Sequence, residues 1–169
     1  MDSQRLREEK SQMRFQTING LHLFQFEEVT IKKLEVGADS LTVVMDALIV
    51  KGNNPNNEEF ADRYADTANM RFLNAGITEI VKEGYKYYDA ADRLVEEKPD
   101  RPLAAEEYDG LFRQCRDVWL YDIIAVSEQE GAYEYQIGID LNEDDTYWLT
   151  VQCTETIVEW EKFKNRVMK

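Results

Sequence analysis

At 169 residues the chain is long enough for one domain that buries most of its apolar surface without disulfide staples. Its 34 acidic against 20 basic residues give a formal net charge of −14. That charge argues against a nucleic-acid binder, which needs clustered Lys and Arg, and against an anionic membrane surface, while suiting a basic partner, a cation or plain solubility. Hydrophobic residues make up 43% of the chain, yet no stretch approaches the length of a membrane span. The first twenty residues lack the apolar run of a secretory signal. The expected location is therefore the cytoplasm, with Cys115 and Cys153 as free thiols, one or both of them buried.

Residues 1–14 are polar and carry only Leu6 and Met13 as anchors, so a frayed helix or mobile arm is expected. Residues 21–36 read as a strand whose alternation slips. His22, Phe24 and Phe26 share one face and Val29 and Ile31 the other, which predicts a bulge or bend near Glu27 and Glu28. Turn residues follow at 37–40, then a second strand over 41–50. Residues 52–57 are a loop by composition. The spacing of Phe60, Tyr64 and Ala68 predicts a short helix over 58–66.

Strands are expected at 70–74 and 77–89, joined by a tight turn at Ala75 and Gly76, with a short returning strand at 94–97. Pro99 and Pro102 break regular structure. Tyr108, Leu111, Phe112 and Cys115 share a helical face, which predicts a helix over 104–115. Residues 118–126 are nearly continuous apolar strand. Tyr133, Tyr135, Ile137, Ile139 and Leu141 alternate cleanly with polar residues, and Tyr147, Leu149, Val151 and Cys153 repeat the pattern, so an antiparallel meander is expected. Thr156 with Glu159 fits a capping box, and Ile157, Trp160, Phe163 and Val167 form one stripe, which predicts a C-terminal helix.

Together these elements describe a single β-rich α+β domain over 15–169, mainly antiparallel. Seven to eight strands would form a small barrel or strongly curved sheet, with short helices and the C-terminal helix packed on it. The alternative is an α+β roll wrapped around that helix.

Two aspartates interrupt the most apolar stretches, Asp46 within 41–50 and Asp122 within 118–126. A carboxylate there is costly unless it is paired, hydrogen-bonded or protonated. Both could point into a shared cavity, as an acid–base pair or as anchors for a polar ligand. Otherwise they face solvent, or pair with Arg71, Arg113 or Arg116. His22, the only histidine, has no motif around it and reads as a strand-face residue without a chemical role. Residues 140–145 begin like a calcium loop but lack glycine at the sixth position and glutamate at the twelfth, so a solvated hairpin turn is expected. The phosphate-cradling glycine patterns and the GxSxG elbow are absent.

Trp119, Tyr121 and Tyr135, with other Tyr and Trp residues of the meander, suit a pocket with apolar walls and polar tips, or ordinary cross-strand pairing. The candidate ligand-binding set is therefore Asp46, Asp122, Tyr121, Tyr135, Trp119 and Arg71. No residue is assigned to catalysis, to a metal or to a cofactor. The expected function is a non-enzymatic intracellular domain that binds a small, partly apolar molecule in an aromatic-lined pocket. One alternative is an acidic protein-interaction or regulatory domain with a basic protein partner. The other is a carboxylate-dependent hydrolase or isomerase resting on the two aspartates. No sequence feature sets the oligomeric state.

Overall fold

Alternation governs most of the observed architecture. Along β4 (Ser40–Asp46), Leu41, Val43 and Met45 are buried in the core while Ser40, Thr42, Val44 and Asp46 are only half-covered. β13 (Ala132–Asp140) does the same with Tyr135, Ile137 and Ile139. The computed structural model describes residues 13–142 and 145–168. The arm expected over 1–14 thus lies almost wholly outside the described residues.

The other strands are β1 (Phe15–Ile18), β2 (Phe24–Gln25), β3 (Thr30–Val36), β5 (Ile49–Val50), β6 (Arg63–Ala65), β7 (Ala68–Leu73) and β8 (Gly76–Lys82). They are followed by β9 (Tyr85–Tyr88), β10 (Leu94–Lys98), β11 (Arg101–Pro102), β12 (Val118–Gln129), β14 (Thr146–Cys153), β15 (Glu155–Trp160) and β16 (Phe163–Arg166). Ten of them form one sheet in the order β1-β15-β7-β4-β3-β12-β13-β14-β8-β11, and every pairing is antiparallel. A four-stranded sheet, β16-β6-β5-β2, and the β9–β10 hairpin complete the structure.

Chain connectivity forces the large sheet to curl. β7 and β8 are six interstrand spacings apart in the order, about 29 Å if the sheet were flat. The three Cα steps from Leu73 to Gly76 reach at most about 11 Å. The same holds for β14 and β15, which are separated only by Thr154. At this corner Thr154 N–H donates to Leu73 O and Ala75 N–H to Asp39 O. The sheet therefore rolls around one apolar core that includes Val43, Met70, Phe72, Leu120, Ile137 and Leu149.

The roll differs from expectation in three ways. The ladder is not closed, since β1 and β11 form its edges, so the result is a strongly curved open sheet and not a barrel. The sheet has ten strands rather than seven or eight, because short pairings such as β1 and β11 carry too few residues to show a period. Residues 156–167 form no helix. Val158 and Trp160 enter the core, while Ile157 packs on Leu73 on the opposite face. A run that is buried on both faces has no alternation to read, and its three-residue spacings imitate a helix.

The helix expected at 58–66 is also absent: a turn leads into β6 there. Asn57 Nδ2 lies within hydrogen-bonding distance of Val50 O, Lys51 O and Ala61 O, and Gly52 N–H donates to Asp62 Oδ1. These side-chain bonds tie the loop down in place of helical ones. The helix expected over 104–115 is present as a 3-10 turn followed by α1 (Tyr108–Gln114), and the bend near Glu27 and Glu28 is a turn between β2 and β3.

Both cysteines are free and buried. Desolvation pushes the Cys115 thiol up to about 12 and the Cys153 thiol up to about 11, from an ordinary value of 9.0. Above pH 9 the unfolded chain ionises these thiols while the folded one holds them neutral. Their contribution is complete below pH 9 and is lost as pH rises through 11 to 12. The urea midpoint is expected to fall between pH 8 and pH 10.5, and to fall less in a C115A/C153A variant. Equal falls in both proteins, or rapid labelling of both thiols by a disulfide reagent at pH 9, would contradict this burial.

Candidate functional site

β3 pairs with β12 only at Val118 and Trp119. From Tyr121 onward β12 continues as a hairpin with β13 and has no strand on its other side among the described residues. A groove of about 370 Å³ opens there, between this length of β12 and the segment carrying His22, Phe24 and Phe26. It lies in the gap beside β12 where the pairing with β3 ends. Its floor is apolar: Phe24 and Tyr135 are buried and Ile123 is half-buried. Its rim carries Glu27, Asp122 and Glu128, all exposed, against one ammonium, Lys51.

Tyr135 anchors the floor. Its ring meets Phe72 edge to face at 6.0 Å and stacks on Tyr133 at 6.3 Å. Its hydroxyl donates to Glu128 Oε2 at 3.0 Å. Burial first, and then the Glu128 carboxylate, push the phenol well above its ordinary range, so it serves as a fixed neutral donor. Lys51 Nζ donates to His22 O at 2.9 Å, which holds one wall. Asp122 Oδ1 accepts the N–H of Ile123 at 2.8 Å.

The candidates from sequence divide between this groove and other places. Tyr121, Asp122 and Tyr135 line it. Trp119 stands beside it: its Nε1 donates to Glu27 O at 3.3 Å and its ring meets Tyr121 edge to face at 5.9 Å. Tyr121 meets Trp148 in the same way at 5.7 Å, so these rings form a row on the outside of the sheet. Asp46 does not line the groove. Its Oδ1 accepts from Thr67 Oγ1 at 2.8 Å and its Oδ2 lies 3.9 Å from Lys32 Nζ, in a partly exposed setting. The two aspartates therefore do not meet in this groove, which lends no support to the hydrolase or isomerase alternative. Arg71 pairs with neither aspartate but with Glu159, on the face of β7 turned away from the main core.

Sequence reasoning missed most of the groove, including Phe24, Glu27, Lys51 and Ile123 as well as His22 and Glu128. His22 lines the wall, although its surroundings carry no motif. Glu128 sits where a hairpin turning at Gly131 places it opposite Tyr133, a cross-strand pairing that signals the site once the hairpin is drawn.

A wider hollow of about 510 Å³ runs past Gly76, Thr78, Gly131 and Thr154, but small polar residues line most of it and no charged groups converge. In the segment resembling a calcium loop, Asp145 N–H donates to Asn142 O and Asp145 Oδ1 pairs with Lys82. Glu143 and Asp144 lie outside the described residues. Among the described residues no three His, Cys, Asp or Glu side chains converge on a metal position, and no helix is long and apolar enough to cross a membrane. The chain matches no family model, no curated protein and no solved structure.

Proposed function

We propose that the chain is a binding domain whose groove, beside the open side of β12, takes a small molecule with an apolar body and a cationic end. One observation carries this reading: a concave site with an aromatic floor of Phe24 and Tyr135 and a rim of three carboxylates facing one ammonium. The floor rewards apolar area removed from water, about 25 cal/mol per Å². The rim selects positive charge, and the net charge of −14 raises the local concentration of cations.

The test is a titration followed by the backbone amide resonances of Ile123 and Ala125. Phenethylamine is the probe and 3-phenylpropionate, its anionic counterpart, the control. The amine is expected to shift these resonances and the carboxylate is not. A D122N/E128Q variant is expected to weaken the amine about tenfold, or about 1.4 kcal/mol. Equal binding of both probes, or amine binding unchanged in the variant, would remove this assignment.

A further inference from the structure

The open side of β12 supplies more than a wall. β12 and β13 keep an unbroken register over Asp122, Ile123, Ile124 and Ala125, bracketed by shifts at Tyr121 and Val126. Ile123 gives its N–H to the Asp122 carboxylate and not to β13. Opposed residues in an antiparallel pair alternate between bonded and non-bonded. Ile123 and, two residues on, Ala125 thus turn their peptide groups to the open side, while their side chains line the groove. Ala125 and Ile124 are exposed. An unpaired edge with apolar exposed residues is a template for another strand.

Resting on the binding reading above, we infer that the groove's ligand is a side chain of an extended basic peptide, which adds as a short strand to the β12 edge at Ile123 and Ala125. Main-chain bonds to these two residues fix the peptide, and alternate side chains reach down into the groove. Charge decides the partner. Glu27, Asp122 and Glu128 surround the edge, and the single ammonium, Lys51, already donates to His22 O. Lys or Arg in the incoming strand meets these carboxylates. A second copy of this chain would instead bring another Asp122 and Glu128 against them, each chain carrying −14 overall. The regular edge is only four residues long between its irregularities, which limits runaway pairing while leaving room for a short segment.

The experiment uses the full chain and a capped hexapeptide alternating lysine with valine, beside the same peptide N-methylated at the residues that would donate to β12. The plain peptide is expected to bind, to slow hydrogen exchange at Ala125, and to weaken as salt rises. N-methylation is expected to cost at least tenfold. Ala125→Pro, which removes an N–H the β13 ladder does not use, is expected to abolish peptide binding. Equal binding of the N-methylated peptide overturns strand addition. So does a failure of the plain peptide while phenethylamine still binds, and the binding reading then stands alone; if neither binds, both fall. Slowed exchange at Ala125 that rises with protein concentration, together with a sedimenting dimer, assigns the edge to a second copy and overturns the peptide partner.

Discussion

Replacing Glu159 with alanine is expected to cost about 3–5 kcal/mol of stability, the loss typical when one partner of a buried ion pair is removed. Arg71 and Glu159 are 3% and 2% exposed. The guanidinium reaches the carboxylate twice, with Nε 3.2 Å from Oε1 and Nη2 donating to Oε2 at 3.3 Å. Among the described residues Nη1 has no hydrogen-bond partner, and the Nε contact falls short of hydrogen-bond geometry. Without Glu159, Arg71 is a buried charge with no other carboxylate paired to it among the described residues. The companion variant, R71M/E159L, fills the same space with apolar groups and is expected to recover most of the loss, because the pair's own desolvation is removed with it. Urea denaturation of the three proteins measures both effects. An E159A protein within about 1 kcal/mol of the parent, or a double variant no better than the single, would mean that water reaches this pair.

This pair also marks where the sequence stopped being readable. Strands with one face in the core announce themselves: Leu41, Val43 and Met45 alternate, as do Tyr135, Ile137 and Ile139; β13 falls where expected, while the strand expected over 41–50 ends at Asp46 and Ile49–Val50 joins the small sheet. The α1 helix shows its face through Tyr108, Leu111 and Phe112. β15 carries no such mark. Residues Thr156, Ile157, Val158, Glu159 and Trp160 are all buried, so no in–out alternation marks the strand. The carboxylate needed by Arg71 across the sheet then passes for a capping glutamate. Local sequence cannot distinguish the two, because the partner is 88 residues away.

The site divides in the same way. Tyr121, Asp122 and Tyr135 stand out as polar tips within apolar strands, and all three line the groove. Asp46 stands out equally. It is satisfied by Thr67 and Lys32, a partnership that exists only because β3 and β7 flank β4. His22 and Phe24 reach the groove through the placement of the small sheet, which rests on the register of β2 with β5.

Trp160 ties the small sheet to the large one, so its removal is expected to act on both stability and binding. It is fully buried at the end of β15. It stacks on Phe15 at 5.7 Å and meets Phe24 of β2 and Phe163 of β16 edge to face at 5.6 and 5.7 Å. Trp160→Ala is expected to cost about 3–5 kcal/mol, as other large aromatic truncations do. The cavity lies directly against Phe24, so the groove floor loosens with it. Ligand affinity should then fall although no residue touching the ligand has changed. Hydrogen exchange at Ile49, Val50 and Tyr64 is expected to rise more than exchange at Ile137 or Leu149, because the first three belong to the small sheet. Trp160→Phe is the milder comparison. Among the described residues the indole Nε1 has no hydrogen-bond partner, so phenylalanine deletes an unsatisfied buried donor along with part of the ring's packing, and these effects oppose each other. If W160A raised exchange uniformly over both sheets and left the groove's affinity unchanged, the two sheets would be a single cooperative unit in which Trp160 holds no special junction.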